Sequence, residues 1–169
     1  LHIQPVENHP DQSSVLVILY TQYGHPHVLL LKRAAGLSRH SGEIAFPGGL
    51  YEARDRDLLT TAIRETREEL DLHIHPTEVL ARLSTVTTRT GIDIAPFVTI
   101  QDRLDHCRPN PGEVEEVLEA PLVKLFNTYQ RDPGENPSDF PFAFWHQHHR
   151  IWGATAKILL QLSELSALL

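Results

Sequence analysis

The chain has 169 residues, 41% hydrophobic and 22% charged, the composition of an ordinary globular protein and enough chain for one domain with its own core. A formal net charge of −7 argues against broad electrostatic binding to nucleic acid or to an anionic membrane, and no apolar run approaches the roughly 20 residues of a bilayer span. The single cysteine, Cys107, excludes a disulfide framework and a cysteine-based zinc site, so a reducing, cytoplasmic setting is expected.

Residues 1–12 are polar, hold two prolines and read as an extended lead-in without the basic and apolar regions of a signal peptide. The sequence contains no methionine, even at position 1, so the numbering is expected to start inside the native product. Residues 14–20 (SVLVILY) and 27–32 (HVLLLK) are continuous apolar runs around a Tyr23-Gly24-His25-Pro26 turn, and predict two buried strands forming a hairpin. Residues 33–49, rich in Gly, Ser and basic side chains, read as a loop. It ends in Pro47-Gly48-Gly49, where glycine lets the backbone come close to a ligand.

Residues 57–70 predict a helix. At about 100° per residue, Leu59, Ala62, Ile63, Thr66 and Leu70 share one face, and Glu65, Glu68 and Glu69 share the next. Three crowded carboxylates have two meanings. They form a solvated acidic face neutralised by Arg64 and Arg67, with Arg64 one turn from Glu68. Or they await a hard divalent cation, Mg²⁺ or Mn²⁺, which prefers oxygen ligands and keeps several waters. The Gly-Gly turn ahead of the helix favours the second meaning, because together they describe a site for a metal-bridged phosphate.

Residues 78–84 predict a strand, 85–91 a polar loop, and 92–100 a further strand containing APFVTI. A loop with Pro109 and Pro111 follows. Residues 113–119 alternate apolar and acidic, as an amphipathic strand with its acids outward does. Residues 126–141, with three prolines, read as a long surface loop and candidate lid. Alternating aromatics in 142–152 predict a strand pair with a tight turn. Ala156, Ile158, Leu159, Leu162, Leu165 and Leu168 place a helix over 153–169, packed on the sheet. With no repeat or linker, residues 1–169 read as one domain. His73-x-His75 and His146-x-His148-His149 lack a metal-site spacing and are expected at the surface or at strand edges. Tyr51, Phe97, Phe142, Phe144, Trp145 and Trp152 are assigned to the core. Neither a G-x-S-x-G elbow nor a P-loop occurs.

Gly48-Gly49, an acid at Asp55, and Arg64-Glu65-Thr66-Arg67-Glu68-Glu69-Leu70-Asp71-Leu72 resemble the Nudix box, G-x5-E-x7-R-E-U-x-E-E-x-G-U. The spacing to Arg64 is one residue longer, Thr66 replaces an aliphatic residue, Asp71 stands where glycine is usual, and Asp55 stands for the upstream Glu. Ahead of the box, Leu29-Leu30-Leu31-Lys32-Arg33-Ala34, Ser38, Gly42 and Phe46-Pro47-Gly48-Gly49 keep the spacing of L-L-T-x-R-[SA]-x3-R-x3-G-x3-F-P-G-G, the segment of the coenzyme A diphosphatase branch. Leu31 replaces its Thr, and Ser38 its second Arg, with Arg39 adjacent. That branch shares the longer box spacing. It also has segments similar to residues 88–91, 96–98, 110–122 and 150–156, so the resemblance touches most of 29–159.

The resemblance implies an α/β fold, a Nudix-type α/β/α sandwich with a mixed β-sheet, and a metal-dependent pyrophosphohydrolase. Glu65 and Glu69 would ligate the principal ion, Mg²⁺ or Mn²⁺, while Glu68 joins a second ion or polarises water. Glu113 would complete the metal site or act as general base, a role left open between Glu68 and Glu113. Arg64 would orient the carboxylates, and Gly48 and Gly49 would shape the site through their backbone. Lys32, Arg33, Arg39 and His40 are candidates for the phosphate and adenylate end. Arg89 would reach a phosphate or base, or is a solvated loop arginine. The implied substrate is coenzyme A or an acyl derivative, giving 3′,5′-ADP and 4′-phosphopantetheine. Ser38 puts that specificity, not hydrolysis, in question. The alternatives are ADP-ribose, a dinucleotide or a dinucleoside polyphosphate, or a silent nucleotide-binding domain. The partner is thus a small-molecule nucleotide, without nucleic acid or membrane, and a homodimer stays open.

Overall fold

The computed structural model describes residues 12–36, 41–132 and 140–166. In chain order the strands and helices are β1 (Gln12–Gln22), β2 (His25–Arg33), β3 (Ile44–Ala45), β4 (Gly48–Leu50), α1 (Leu58–Leu70), β5 (Val79–Arg82), β6 (Val86–Thr87), β7 (Asp93–Gln101), β8 (Val114–Pro121), α2 (Leu122–Phe126), β9 (Gln130–Arg131), β10 (Phe142–His146), β11 (His149–Ile151) and α3 (Gly153–Ser166). β1 and β2 form the expected hairpin, with Leu19 opposite Val28 and Gln22 opposite His25. Its turn residues Tyr23 and Gly24 both have positive φ, 51° and 76°, which matches the twist of the flanking strands.

β7 runs parallel to β1 along its whole length, from Gln12–Asp93 to Tyr20–Gln101, while the other pairings are antiparallel, so the sheet is mixed. Two apolar layers cover it. Val15, Val17, Val28 and Leu30 face Phe144, Ile151, Ile158 and Leu159 from β10, β11 and α3. Leu16, Ile18, Leu29, Leu31 and Phe97 face Leu58, Leu59, Ala62 and Leu70 from α1. Neighbouring residues of one strand feed opposite layers, as the two-residue period of a strand dictates, and this is why the runs in β1 and β2 are apolar throughout. Leu16, Ile18, Leu29 and Leu31 are at most 1% exposed, each contributing roughly 1.5–3 kcal/mol. The architecture is the expected α/β/α sandwich.

The segment expected as a plain loop, 33–49, holds two short strands whose placement decides the site. β7 takes one side of β1 and β8 takes one side of β2. On their facing sides the hairpin strands pair only near the turn. Beyond it β3 pairs with the end of β2 at Leu31 and Lys32, and β4 pairs with the start of β1 at residues 13–15. The hairpin therefore opens as a fork, and residues 44–50 fill the opening, with the Leu16 amide donating to the Pro47 carbonyl at 2.8 Å.

Other departures are local. Strand 78–84 shortens to β5, led in by a 3₁₀ turn at Pro76–Glu78. The polar loop 85–91 contains β6, and the candidate lid 126–141 contains β9, while residues 133–139 lie outside the described residues. Ile63 is only half-buried, whereas Thr61 and Glu69 are buried. Tyr51, Phe142, Trp145 and Trp152 are half-buried, and only Phe97 and Phe144 lie fully in the core. Leu165 is exposed on α3, and Leu168 lies outside the described residues. Among the described residues no helix is long and apolar enough to cross a membrane.

Both departures of the helix from the box pattern have local solutions. The hydroxyl of buried Thr66 donates to the Ala62 carbonyl at 2.8 Å, so a polar atom sits satisfied where an aliphatic side chain is usual. Asp71 is the left-handed cap of α1, φ 56° and ψ 25°, with its amide donating to the Arg67 carbonyl. Glycine adopts that conformation freely, and aspartate is among the side chains that tolerate it.

Candidate active site

Gly48 is buried in the fork, where an added Cβ would collide with the Ser14 carbonyl and lie 2.7 Å from the Val15 Cα. Gly49 faces the other way. A Cβ there would lie 2.5 Å from Glu65 Cδ and 2.7 and 2.8 Å from its oxygens. The two glycines thus let the backbone press against β1 on one side and against a helix carboxylate on the other.

α1 presents its three glutamates as a gradient of burial. The side chains of Glu69, Glu65 and Glu68 are 4%, 17% and 43% exposed. Glu69 Oε2 accepts the Gly48 amide at 3.0 Å, and Glu69 Oε1 faces Arg33 Nη1 at 3.5 Å. Burial pushes the Glu69 carboxyl up to about 8, helped by the charges of Glu65 and Glu113 and opposed by the Gly48 N–H and Arg33. Glu65 is likewise raised by burial, with Arg64 opposing and Glu68 and Glu113 adding to the effect.

Arg64 organises this surface. Its Nε and Nη2 donate to the two oxygens of Asp55 at 2.8 and 2.9 Å, a bidentate grip. Its Nη1 reaches Glu65 at 2.6 Å and Glu68 at 3.3 Å, and Nη2 also donates to the Leu50 carbonyl. Asp55 is buried and further held by the Thr61 hydroxyl and the Glu52 amide. The other oxygen of Glu68 takes Arg54 Nη2 at 3.2 Å. The solvated reading, in which Arg64 neutralises Glu68, thus describes the outer part of the helix, whereas Glu65 and Glu69 turn inward to the glycine pair.

Glu113 comes from the far side. The loop before β8 caps the end of α1, with the Arg108 amide donating to the Leu70 carbonyl at 2.7 Å and the Asn110 amide to the Glu69 carbonyl at 2.8 Å. Asn110 in turn accepts the amides of Glu113 and Val114, and the Ala34 amide donates to the Glu113 carbonyl. Half-buried Glu113 is thereby held within electrostatic reach of both Glu65 and Glu69. Sequence patterns do not single out Asn110, Glu52 or Arg54, and the Asn-Pro-Gly turn is the only local signal for the first of them.

The remaining candidates scatter. Lys32 pairs with Glu115 at 2.8 Å, facing away from α1. Arg89 is exposed on the turn between β6 and β7. Arg39 and His40 lie outside the described residues. His149, expected at the surface or a strand edge, is buried, with Nε2 3.2 Å from Glu116 Oε2. His75 caps the 3₁₀ turn and His73 lies 3.3 Å from Asp71.

The donor set fits a hard divalent ion. Glu65 and Glu69 supply only oxygens, lie near the charge of Glu113 and are partly desolvated, which a cation relieves. Among the described residues, no three His, Cys, Asp or Glu side chains are grouped so as to hold an ion as they stand. Arg33 and Arg64 stand beside Glu69 and Glu65 instead.

A family model for the NUDIX domain matches residues 10–151. The uncharacterized Nudix hydrolase NudL of Photorhabdus laumondii is 32% identical over 143 residues, covering 82% of this chain and 76% of that protein. NudL of Pectobacterium atrosepticum is 30% identical over 165 residues, covering 95% and 85%. The NUDIX domain of Shewanella oneidensis NrtR, solved with ADP ribose, superposes with a TM-score of 0.66 at 16% identity, covering 94% of this chain and 90% of that one. The M. smegmatis Nudix hydrolase RenU gives 0.64 at 17%, covering 95% and 88%. At these identities the two structures speak for the fold.

Proposed function

The chain belongs to the NUDIX family of hydrolases, and from that premise we propose that it cleaves the diphosphate of coenzyme A or acyl-coenzyme A, giving 3′,5′-ADP and 4′-phosphopantetheine, with Mg²⁺ or Mn²⁺. Membership makes it a pyrophosphohydrolase, and Nudix hydrolases generally use divalent metal ions. The observation that carries the finer reading is the position of Arg33. This arginine belongs to the segment that resembles the coenzyme A branch, and it lies 3.5 Å from Glu69 Oε1, beside the carboxylates we assign to the ion.

Glu65 and Glu69 would hold the principal ion, and a second ion at Glu68 would displace Arg54 or Arg64 from its oxygens. When bound, the metal would neutralise the diphosphate charge and make water more acidic. The protein's own groups do the rest. Gly48 fixes Glu69 through its amide, Gly49 leaves room for the Glu65 carboxylate, and Arg64 keeps Glu65 and Glu68 oriented from its anchor on Asp55. Glu113 is the better general base. Both Glu68 oxygens are taken by arginines, whereas among the described residues no lysine or arginine pairs with Glu113. As base it takes the proton of the attacking water while the bond between phosphorus and the bridging oxygen breaks.

Purified protein with Mg²⁺ should release 3′,5′-ADP from coenzyme A, and Glu69→Gln should abolish release. Ser38, in place of the branch's second arginine, favours a second reading with another nucleoside diphosphate substrate. A panel of coenzyme A, NADH, ADP-ribose and diadenosine polyphosphates separates the two. Faster turnover of any other member would overturn the coenzyme A assignment.

A further inference from the structure

Lys32 and Arg33 are adjacent basic residues with different fates. The pairing of β2 with β8 shifts register between them. Lys32 goes to Glu115, and Arg33 turns toward the helix and lies 3.5 Å from Glu69 Oε1. That separation is long for a charged hydrogen bond, so opening it loses little. Arg33 Nε is buried and makes no hydrogen bond among the described residues. A buried donor left unpaired is costly, so this guanidinium is only half satisfied where it stands. An anionic oxygen placed across Nε and Nη would satisfy it as a fork, the geometry in which arginine binds phosphate.

The oxygen that faces Arg33 is also the one that a metal ion would use. Glu69 Oε2 already accepts the Gly48 amide, so Oε1 is the less satisfied oxygen and the better placed for a cation. A divalent ion and a guanidinium cannot share that oxygen without strong repulsion. The Arg33 side chain is 25% exposed, so it has a way out toward solvent.

Resting on the Nudix hydrolase reading above, we propose that Arg33 is an exchange residue. Without a divalent ion its guanidinium stands against Glu69 Oε1. When an ion takes that place, Arg33 turns to the diphosphate, so metal and nucleotide bind cooperatively through it.

The test measures Mn²⁺ binding alone by electron paramagnetic resonance, and ADP binding by calorimetry with and without Mn²⁺, on the full chain. R33Q removes the competing cation, so it should bind Mn²⁺ alone about three- to tenfold more tightly than the parent. Its ADP affinity in Mn²⁺ should fall about tenfold, and the factor by which Mn²⁺ tightens ADP should shrink accordingly, with ADP tightening Mn²⁺ by the same reduced factor. An arginine that merely positioned Glu69 would give the opposite sign, with weaker Mn²⁺ binding in R33Q. That result, or an unchanged coupling factor, overturns the proposal. R33K keeps the charge without the fork. Should R33Q not fold by circular dichroism, a folded R33K must show reduced coupling, and coupling equal to the parent overturns the proposal. A parent protein that binds no Mn²⁺ overturns the metal-dependent reading itself. One that binds Mn²⁺ and hydrolyses coenzyme A while R33Q binds both ligands normally leaves that reading standing and removes only the role of Arg33.

Discussion

The Glu65 carboxylate fills the space that a side chain at Gly49 would need. A β-carbon at residue 49 would lie within 2.8 Å of three atoms of the Glu65 carboxyl group. Since φ at Gly49 is not positive, the constraint is space rather than backbone strain. Gly49→Ala should therefore move the Glu65 carboxylate and lower kcat about 10- to 100-fold, because catalysis is sensitive to displacements of about an ångström. The fold should survive, with a melting temperature within about 4 °C of the parent. Wild-type turnover in a folded G49A protein would show that Glu65 needs no such seat.

Asp55 should be visible in the acid limb of stability. Burial disfavours its charge, but Arg64, the Glu52 amide and Thr61 outweigh that and hold its carboxyl at about 2, below its unfolded value. A depressed folded value means stability that is fully present above about pH 4 and lost as pH falls toward 2, about 2 kcal/mol in all. Urea unfolding of Asp55→Asn against the parent should show a gap that is constant near neutrality and narrows below pH 4. A gap independent of pH would contradict the ion pair.

The choice of general base is open to a ranking experiment. Glu113→Gln should lower kcat about 100-fold or more, in the usual range for loss of a base, and Glu68→Gln should lower it less. Steady-state kinetics at saturating Mg²⁺ decides the order. The reverse ranking would give the role to Glu68.

Asp71 occupies the left-handed cap of α1 and also places a negative charge at the helix C-terminus. The charge is unfavourable there, and aspartate tolerates the conformation less readily than glycine. Asp71→Gly should raise stability by about 0.5–1 kcal/mol in chemical denaturation, with kcat/KM unchanged. A destabilised variant would mean that the 3.3 Å contact between Asp71 and His73 outweighs the strain.

The clustering of Glu65, Glu68 and Glu69 is legible in the sequence, because helical period alone puts residues three and four apart together. The buried strands β1 and β2, the start of α1 near Asp57 and the terminal helix are legible for the same reason, since each is a local pattern of period. Spacing also marks Gly48 and Gly49 as special, but not which neighbour each one presses on.

What the sequence by itself determined is the inventory: three helix carboxylates, a glycine pair ahead of them, and apolar runs long enough to be covered on both faces. Tertiary structure alone decided how these are used. The opening of the β1–β2 hairpin lets residues 44–50 enter and sets Gly48 against Val15 and Gly49 against Glu65. It also ranks the glutamates by burial, brings Glu113 to Glu65 and Glu69 through the cap at Asn110, and parts Lys32 from Arg33. Each of these depends on contacts between residues far apart in the chain, and the energies that select them arise only once the sheet has closed and water has left its two faces.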